Sequence, residues 1–216
     1  MPRITSPKLP VSPLSRPRGR PRSETARKAV LRAALRLVAA HGYRALTIEG
    51  IAAAAGVGKQ TIYRWWPSKA AVVLTALAEY ADADIPVPDS GDGCVDLARF
   101  LGATFAAMRA GYAPILRALM AEAQFDAAFA VDFRERLIDR RRAAMRTLLA
   151  RAQARGELAA AADLEVLLDL AYGAMWYRLL LEHAPLSSAA AKSIARAVFA
   201  AGSAESRAAP PRRRRK

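Results

Sequence analysis

The 216-residue sequence predicts an all-α protein. Three observations carry that reading. Ala, Leu and Arg, all strong helix formers, dominate the chain after its first two dozen residues. Apolar residues recur at helical spacing in one stretch after another, and no run alternates apolar and polar residues as a half-buried strand would. Cap residues, glycines and prolines punctuate those stretches at helix-length intervals. The length fits one or two domains with a real core, and 53% apolar content argues against wholesale disorder.

Residues 1–22 contain Pro2, Pro7, Pro10, Pro13, Pro17 and Pro21, so this segment reads as a disordered arm rather than as helix or central strand. Ser23 reads as an N-cap with Glu24 in the first turn. From there Val30, Ala33, Ala34, Leu37, Val38 and Tyr43 keep a helical period, and Gly42 stands where a residue just past the helix end belongs. Thr47 caps a short helix, 48–55, which Gly56 stops. A second short helix runs from about Gly58 to Trp65 or Trp66, with Pro67 ending it. Ser68 caps the next helix, from Lys69 to about Ala83. The turn-rich segment 84–93 (DIPVPDSGDG) separates this N-terminal unit from a larger C-terminal one. Further helices are expected near 94–109, 114–122, 125–156, 163–183 and 187–202, with breaks at Gly111, Pro114, Gly156 and Pro185; the 125–156 stretch is open to division into two.

The formal net charge is +15, and it is unevenly placed. Residues 1–22 hold six bases and no acid, as do residues 207–216. Residues 23–69 hold eight bases against Glu24 and Glu49, whereas acids outnumber bases over 70–206. That distribution points to a polyanion, nucleic acid ahead of an acidic membrane. A lone cysteine, Cys94, excludes an internal disulfide framework and a Cys-cluster zinc site. The two histidines, His41 and His183, lie far apart in the sequence, and no Gly-rich phosphate loop or nucleophile elbow occurs. The chain is therefore expected to be neither an enzyme nor a holder of metal or cofactor. Charged residues interrupt every apolar stretch before membrane-spanning length, so a cytoplasmic protein with no membrane partner is expected.

The segment 46–69, LTIEGIAAAAGVGKQTIYRWWPSK, carries the chemistry. Helices this short are stable only when packed. Ile51, Ala55, Val57 and Ile62 form one apolar seam, Ala52 lets the helix axes approach, and Gly56 permits the turn. This is a helix-turn-helix pattern, in which the second helix enters the major groove of DNA. With Ile62 turned inward, Lys59, Gln60 and Tyr63 share the outer face. Lysine donates to guanine acceptors, glutamine pairs with adenine, and tyrosine reaches a phosphate or a thymine methyl. Thr47 at a helix N-terminus suits a phosphate, and Lys69 suits the flanking one. Trp66, just before Pro67, reads as a core anchor. The arm RPRGRPR at 16–22 is open to two readings, a minor-groove contact or a solubilising tail.

A first helix ending in HGY, then LTIEGIAAAAGV, then TIYRWWPSK give roughly residues 19–80 a resemblance to the TetR family of bacterial transcriptional regulators. The resemblance implies an all-α homodimer: an N-terminal three-helix DNA-binding domain, here 23–69, and a larger helical domain, here 70–202, that binds a small ligand and dimerises, followed by a basic tail at 203–216. Carried over by position, Thr47, Lys59, Gln60, Thr61, Tyr63 and Lys69 form the DNA-contacting set. Trp65 stands where the family often has a small polar or imidazole side chain near a phosphate; its indole N–H is a donor, and packing is the other reading. The stretch AYGAMWYRLLLEHAPLSS (171–188) resembles the C-terminal domains of one subgroup. Its Tyr172, Met175, Trp176 and Leu179 are open to core, pocket or dimer-seam roles. The last two long helices, 167–183 and 187–201, are the expected dimer bundle. Phe105, Met108, Tyr112, Phe129 and Met145 are the candidates to line a pocket for an apolar effector. The expected activity is that of a repressor relieved by ligand. The alternative is a helical architectural protein that binds DNA nonspecifically through its basic tails.

Overall fold

The computed structural model describes residues 24–203. The Ser23 cap, the arm and the basic tail beyond Ser203 lie outside the described residues. Every regular element among the described residues is helical.

The N-terminal unit is built on α1 (Glu24–Ala45), α2 (Ile48–Ala55) and α3 (Lys59–Tyr63). Val30, Ala33, Ala34 and Val38 bury one face of α1 against α2 and against α4 (Lys69–Asp84). Gly42 breaks the regular helix near its end, at φ 77°. Helix α3 is shorter than its sequence suggests, closing at Tyr63, because the amides of Trp65 and Trp66 both turn back to the Ile62 carbonyl, each at 2.9 Å. Ser68 caps α4, its Oγ accepting from the Ala71 amide at 3.2 Å. Helix α4 is buried along most of its length, from Ala70 to Ala78 and again at Ala81. It packs on α1 on one side and on the following helices on the other, so one continuous apolar core runs through both units.

The larger unit comprises α5 (Gly93–Ala107), α6 (Ala113–Phe125), α7 (Ala127–Phe133), α8 (Asp139–Ala154), α9 (Leu164–Leu181) and α10 (Ser188–Gly202). Its most extensive pairing is α5 against α10. A side chain at Gly93 would not fit that contact: a Cβ there would lie 2.5 Å from the Ala152 Cβ and 2.8 Å from the Phe199 ring. The 85–92 connection is tied down by Asp96, a buried carboxylate that accepts from both the amide (2.9 Å) and the hydroxyl (2.7 Å) of Ser90.

Pro114 lies in the first turn of α6, at the helix start expected from the sequence, where its missing N–H costs nothing. Two features depart from the sequence expectation. Helix α6 then runs on to Phe125, and the division of the 125–156 stretch begins at Asp126, which caps α7. The residues 108–112 and 134–138 form wide, π-helical turns that carry the chain between neighbouring helices without a loop.

Candidate nucleic-acid interface

The helix-turn-helix is held from beneath. Ile51 and Ile62 are wholly buried, and Ala52, also buried, sits at the close approach of the two helices. The turn between them runs through Gly56 at φ 67°, ψ 34°, the left-handed region that favours glycine, and the Val57 amide closes it on the Ala52 carbonyl at 3.0 Å. Ala55 and Val57 complete the seam, half-buried.

With Ile62 fixed inward, Lys59, Gln60 and Tyr63 are all exposed on the opposite face of α3, as their spacing requires. Tyr63 is 48% exposed. Lys59 Nζ lies 3.1 Å from Glu49 Oε1, an exposed pair that joins α3 to α2. Such an exposed pair contributes little to stability. Thr47 caps α2: its Oγ1 accepts from the Gly50 amide at 3.0 Å, and the hydroxyl proton remains to donate. Thr61 is half-buried beside Ile62.

Two residues have an inward part. Lys69 turns its ammonium to the end of α1, donating to the carbonyls of Tyr43 (3.2 Å) and Leu46 (2.9 Å), 4.7 Å above the Tyr43 ring. A cation there offsets the exposed carbonyls of the helix terminus, and one of its three donors remains. Trp65 is half-buried and packs edge-on against Trp66, ring centroids 5.2 Å apart. Trp66 is the buried anchor of the unit: its indole donates to Thr75 Oγ1 at 2.9 Å, and Thr75 in turn donates to the Ala71 carbonyl at 2.8 Å.

The larger unit holds a cavity of about 380 Å³ between α4, α5, α8 and α9. Tyr80, Met108, Tyr112, Arg141, Tyr172 and Trp176 are among its walls, and Tyr80 stacks on Tyr112 with centroids 4.5 Å apart. Of the five pocket candidates read from the sequence, Met108 and Tyr112 line it. Phe105, Phe129 and Met145 do not: all three are buried in the surrounding core. From 171–188, Tyr172, Met175 and Trp176 reach the cavity, while Leu179 is buried elsewhere. Arg141 was not apparent as a cavity residue. Its signal is position: it precedes Met145, Leu148, Leu149 and Ala152 on the apolar stripe of α8, where a charge is out of place.

Among the described residues, no helix is long and apolar enough to cross a membrane and no cluster of metal-ligating side chains occurs. Comparison with known proteins agrees with the helix-turn-helix and with the larger unit alike. Residues 30–76 match the family model for bacterial regulatory proteins of the tetR family, and residues 87–198 match the tetracyclin repressor-like C-terminal domain. The chain is 39% identical over 166 residues to the HTH-type transcriptional regulator YdeS of Bacillus subtilis, covering 76% of this chain and 83% of that protein. It is 30% identical over 161 residues to the DNA-binding transcriptional repressor TetR of Mycobacteroides abscessus, covering 74% and 85%. The crystal structure of the TetR family transcription regulator SCO0332, at 32% identity, superposes with a TM-score of 0.73 over 82% of this chain and 98% of that one. A helix-turn-helix with Lys59, Gln60 and Tyr63 exposed on its second helix, a cavity in a larger all-α unit and family matches across both units lead to one conclusion: the chain belongs to the TetR family of transcriptional regulators.

Proposed function

We propose that the protein is a cytoplasmic homodimer that reads a palindromic operator sequence-specifically and acts as a repressor relieved by a small ligand. The observation that carries this is the outward presentation of Lys59, Gln60 and Tyr63 on a helix whose inward residue, Ile62, is wholly buried. In this reading α3 enters the major groove, Lys59 and Gln60 meet base edges, and Tyr63 meets a phosphate or a thymine methyl. Thr47, Thr61, Trp65 and Lys69 hold the flanking backbone, which sets the register but carries no sequence information.

Dimerisation is supported by the outer face of α9, where Val166, Leu170, Tyr177, Leu180 and Leu181 stand exposed. A row of large apolar side chains on one helix is what a partner copy would cover. Two recognition helices would then sit about one turn of DNA apart, roughly 34–36 Å. The cavity supplies a place for a ligand, and a ligand that binds one domain geometry better than another moves the dimer off that spacing. The repressor sense accords with the Mycobacteroides abscessus relative, whose name states it.

The test is selection of bound fragments from random DNA by the full chain and by a chain trimmed to 24–203. A shared inverted repeat in both selections supports the reading. Binding that depends on the tails and enriches no sequence would replace it with the architectural alternative.

A further inference from the structure

Helix α8 carries Arg140, Arg141 and Arg142 in succession, and the structure treats them differently. Arg140 is paired with Asp82 at 2.5 Å. Arg142 is paired twice, with Glu165 and with Asp169, each at 2.6 Å. Arg141 has no carboxylate partner among the described residues. Its Nη1 donates to the carbonyls of Ala81 (3.0 Å) and Ile85 (3.5 Å), and its guanidinium lies 4.6 Å above the Phe100 ring. Its Nη2 is buried with no hydrogen-bond partner.

A half-buried guanidinium with an idle donor and no paired carboxylate is costly. The side chain is desolvated enough for burial to push its pKa below the usual arginine value. It remains charged all the same, because arginine does not give up its proton in proteins. The acids nearby do not meet it: Asp82 is held by Arg140, and Asp169, the one acid of the cavity wall among the described residues, is held by Arg142. The walls are otherwise largely apolar and aromatic, with the Tyr80–Tyr112 stack and Trp176 among them. The cavity of about 380 Å³ is within the range of small-molecule sites.

We infer that the ligand of this cavity is an organic acid: an apolar or aromatic body held among Tyr80, Tyr112 and Trp176, with one carboxylate taken by the Arg141 guanidinium. The inference rests on the proposal that the cavity receives an effector. A planar carboxylate matches the guanidinium fork, and a charge-assisted bond in a desolvated site is among the stronger polar contacts available. A neutral ligand of the same shape would leave the guanidinium without an anionic partner.

The experiment uses the full chain and two matched pairs, 2-naphthoate with 2-naphthamide and decanoate with 1-decanol, with binding read by calorimetry and by tryptophan fluorescence. Each acid is expected to bind about 10-fold or more tighter than its neutral partner. Arg141→Gln is expected to remove that preference, so that acid and neutral partner bind alike. Arg141→Lys keeps the charge without the fork and is expected to retain part of the preference. It also serves if the glutamine variant fails to fold, as judged by its melting transition. Equal binding of acid and neutral partner, an acid preference that survives Arg141→Gln, or no binding of either acid at about 1 mM would each overturn the inference. Operator binding is measured separately. Acid binding that leaves DNA affinity unchanged would sink ligand relief while the assignment of Arg141 stands.

Discussion

Two glycines show how differently one residue type is used. Gly56 sits in left-handed backbone at φ 67°, yet a Cβ there would meet nothing within 4 Å. Gly93 has no such constraint, but a Cβ would collide with Ala152 and Phe199. Gly56→Ala therefore costs backbone strain alone, about 1 kcal/mol. Gly93→Ala overpacks the α5–α10 contact, on the order of 2–3 kcal/mol. Urea unfolding of the two variants checks the order, and a larger loss for Gly56→Ala would contradict it. The first position was legible in the sequence, because a helix stop before a second short helix is a local signal. The second was not, because it depends on residues roughly sixty and a hundred positions away. The same division separates Lys59, Gln60 and Tyr63, whose facing follows from the helical period, from Lys69, whose ammonium is drawn to the end of α1 by a contact across 23 residues to Leu46.

Among the helices, caps were the reliable signals. Thr47 and Ser68 start α2 and α4 where their side chains accept from the first-turn amides. Ends were less legible, because packing sets them: α3 closes at Tyr63, and α9 ends with Glu182 in left-handed backbone, φ 52°, its carboxylate paired with Arg117 at 2.6 Å. Tyr43, near the end of α1, carries a consequence for alkaline stability. Burial first, and the Glu122 carboxylate second, push its phenol from 10.0 up to about 12. Tyr172 is raised as well, chiefly by burial. Between pH 10.0 and about 12 the unfolded chain gives up the Tyr43 proton that the folded chain keeps, so stability falls as pH rises through that window. Tyr43→Phe should flatten that fall. Urea melts at about pH 9 and about pH 11 measure it, and an equal loss in wild type and variant would contradict this account of the α1–α6 contact.

Across the whole molecule, α4 joins the two units. Its first residue, Lys69, steadies the end of α1 beside the helix-turn-helix, and its Leu77 and Tyr80 reach the cavity. The all-α class, the two-unit order and the recognition segment were all legible from period, caps and charge. The cavity was legible only in part, since Phe105, Phe129 and Met145 look like pocket residues on any single helix and become core only when the helices meet. The charge of the chain, +15, lies largely in residues 1–22 and 207–216, outside the helix-turn-helix. Specificity is assigned instead to the few side chains that α3 holds outward. That assignment is tested most directly by the affinity of the Lys59→Ala, Tyr63→Ala double variant for the selected operator, with oligomeric state followed by sedimentation. The expected result is an unchanged oligomer whose operator affinity falls by about 100-fold or more. Undiminished affinity in a folded variant would contradict the account.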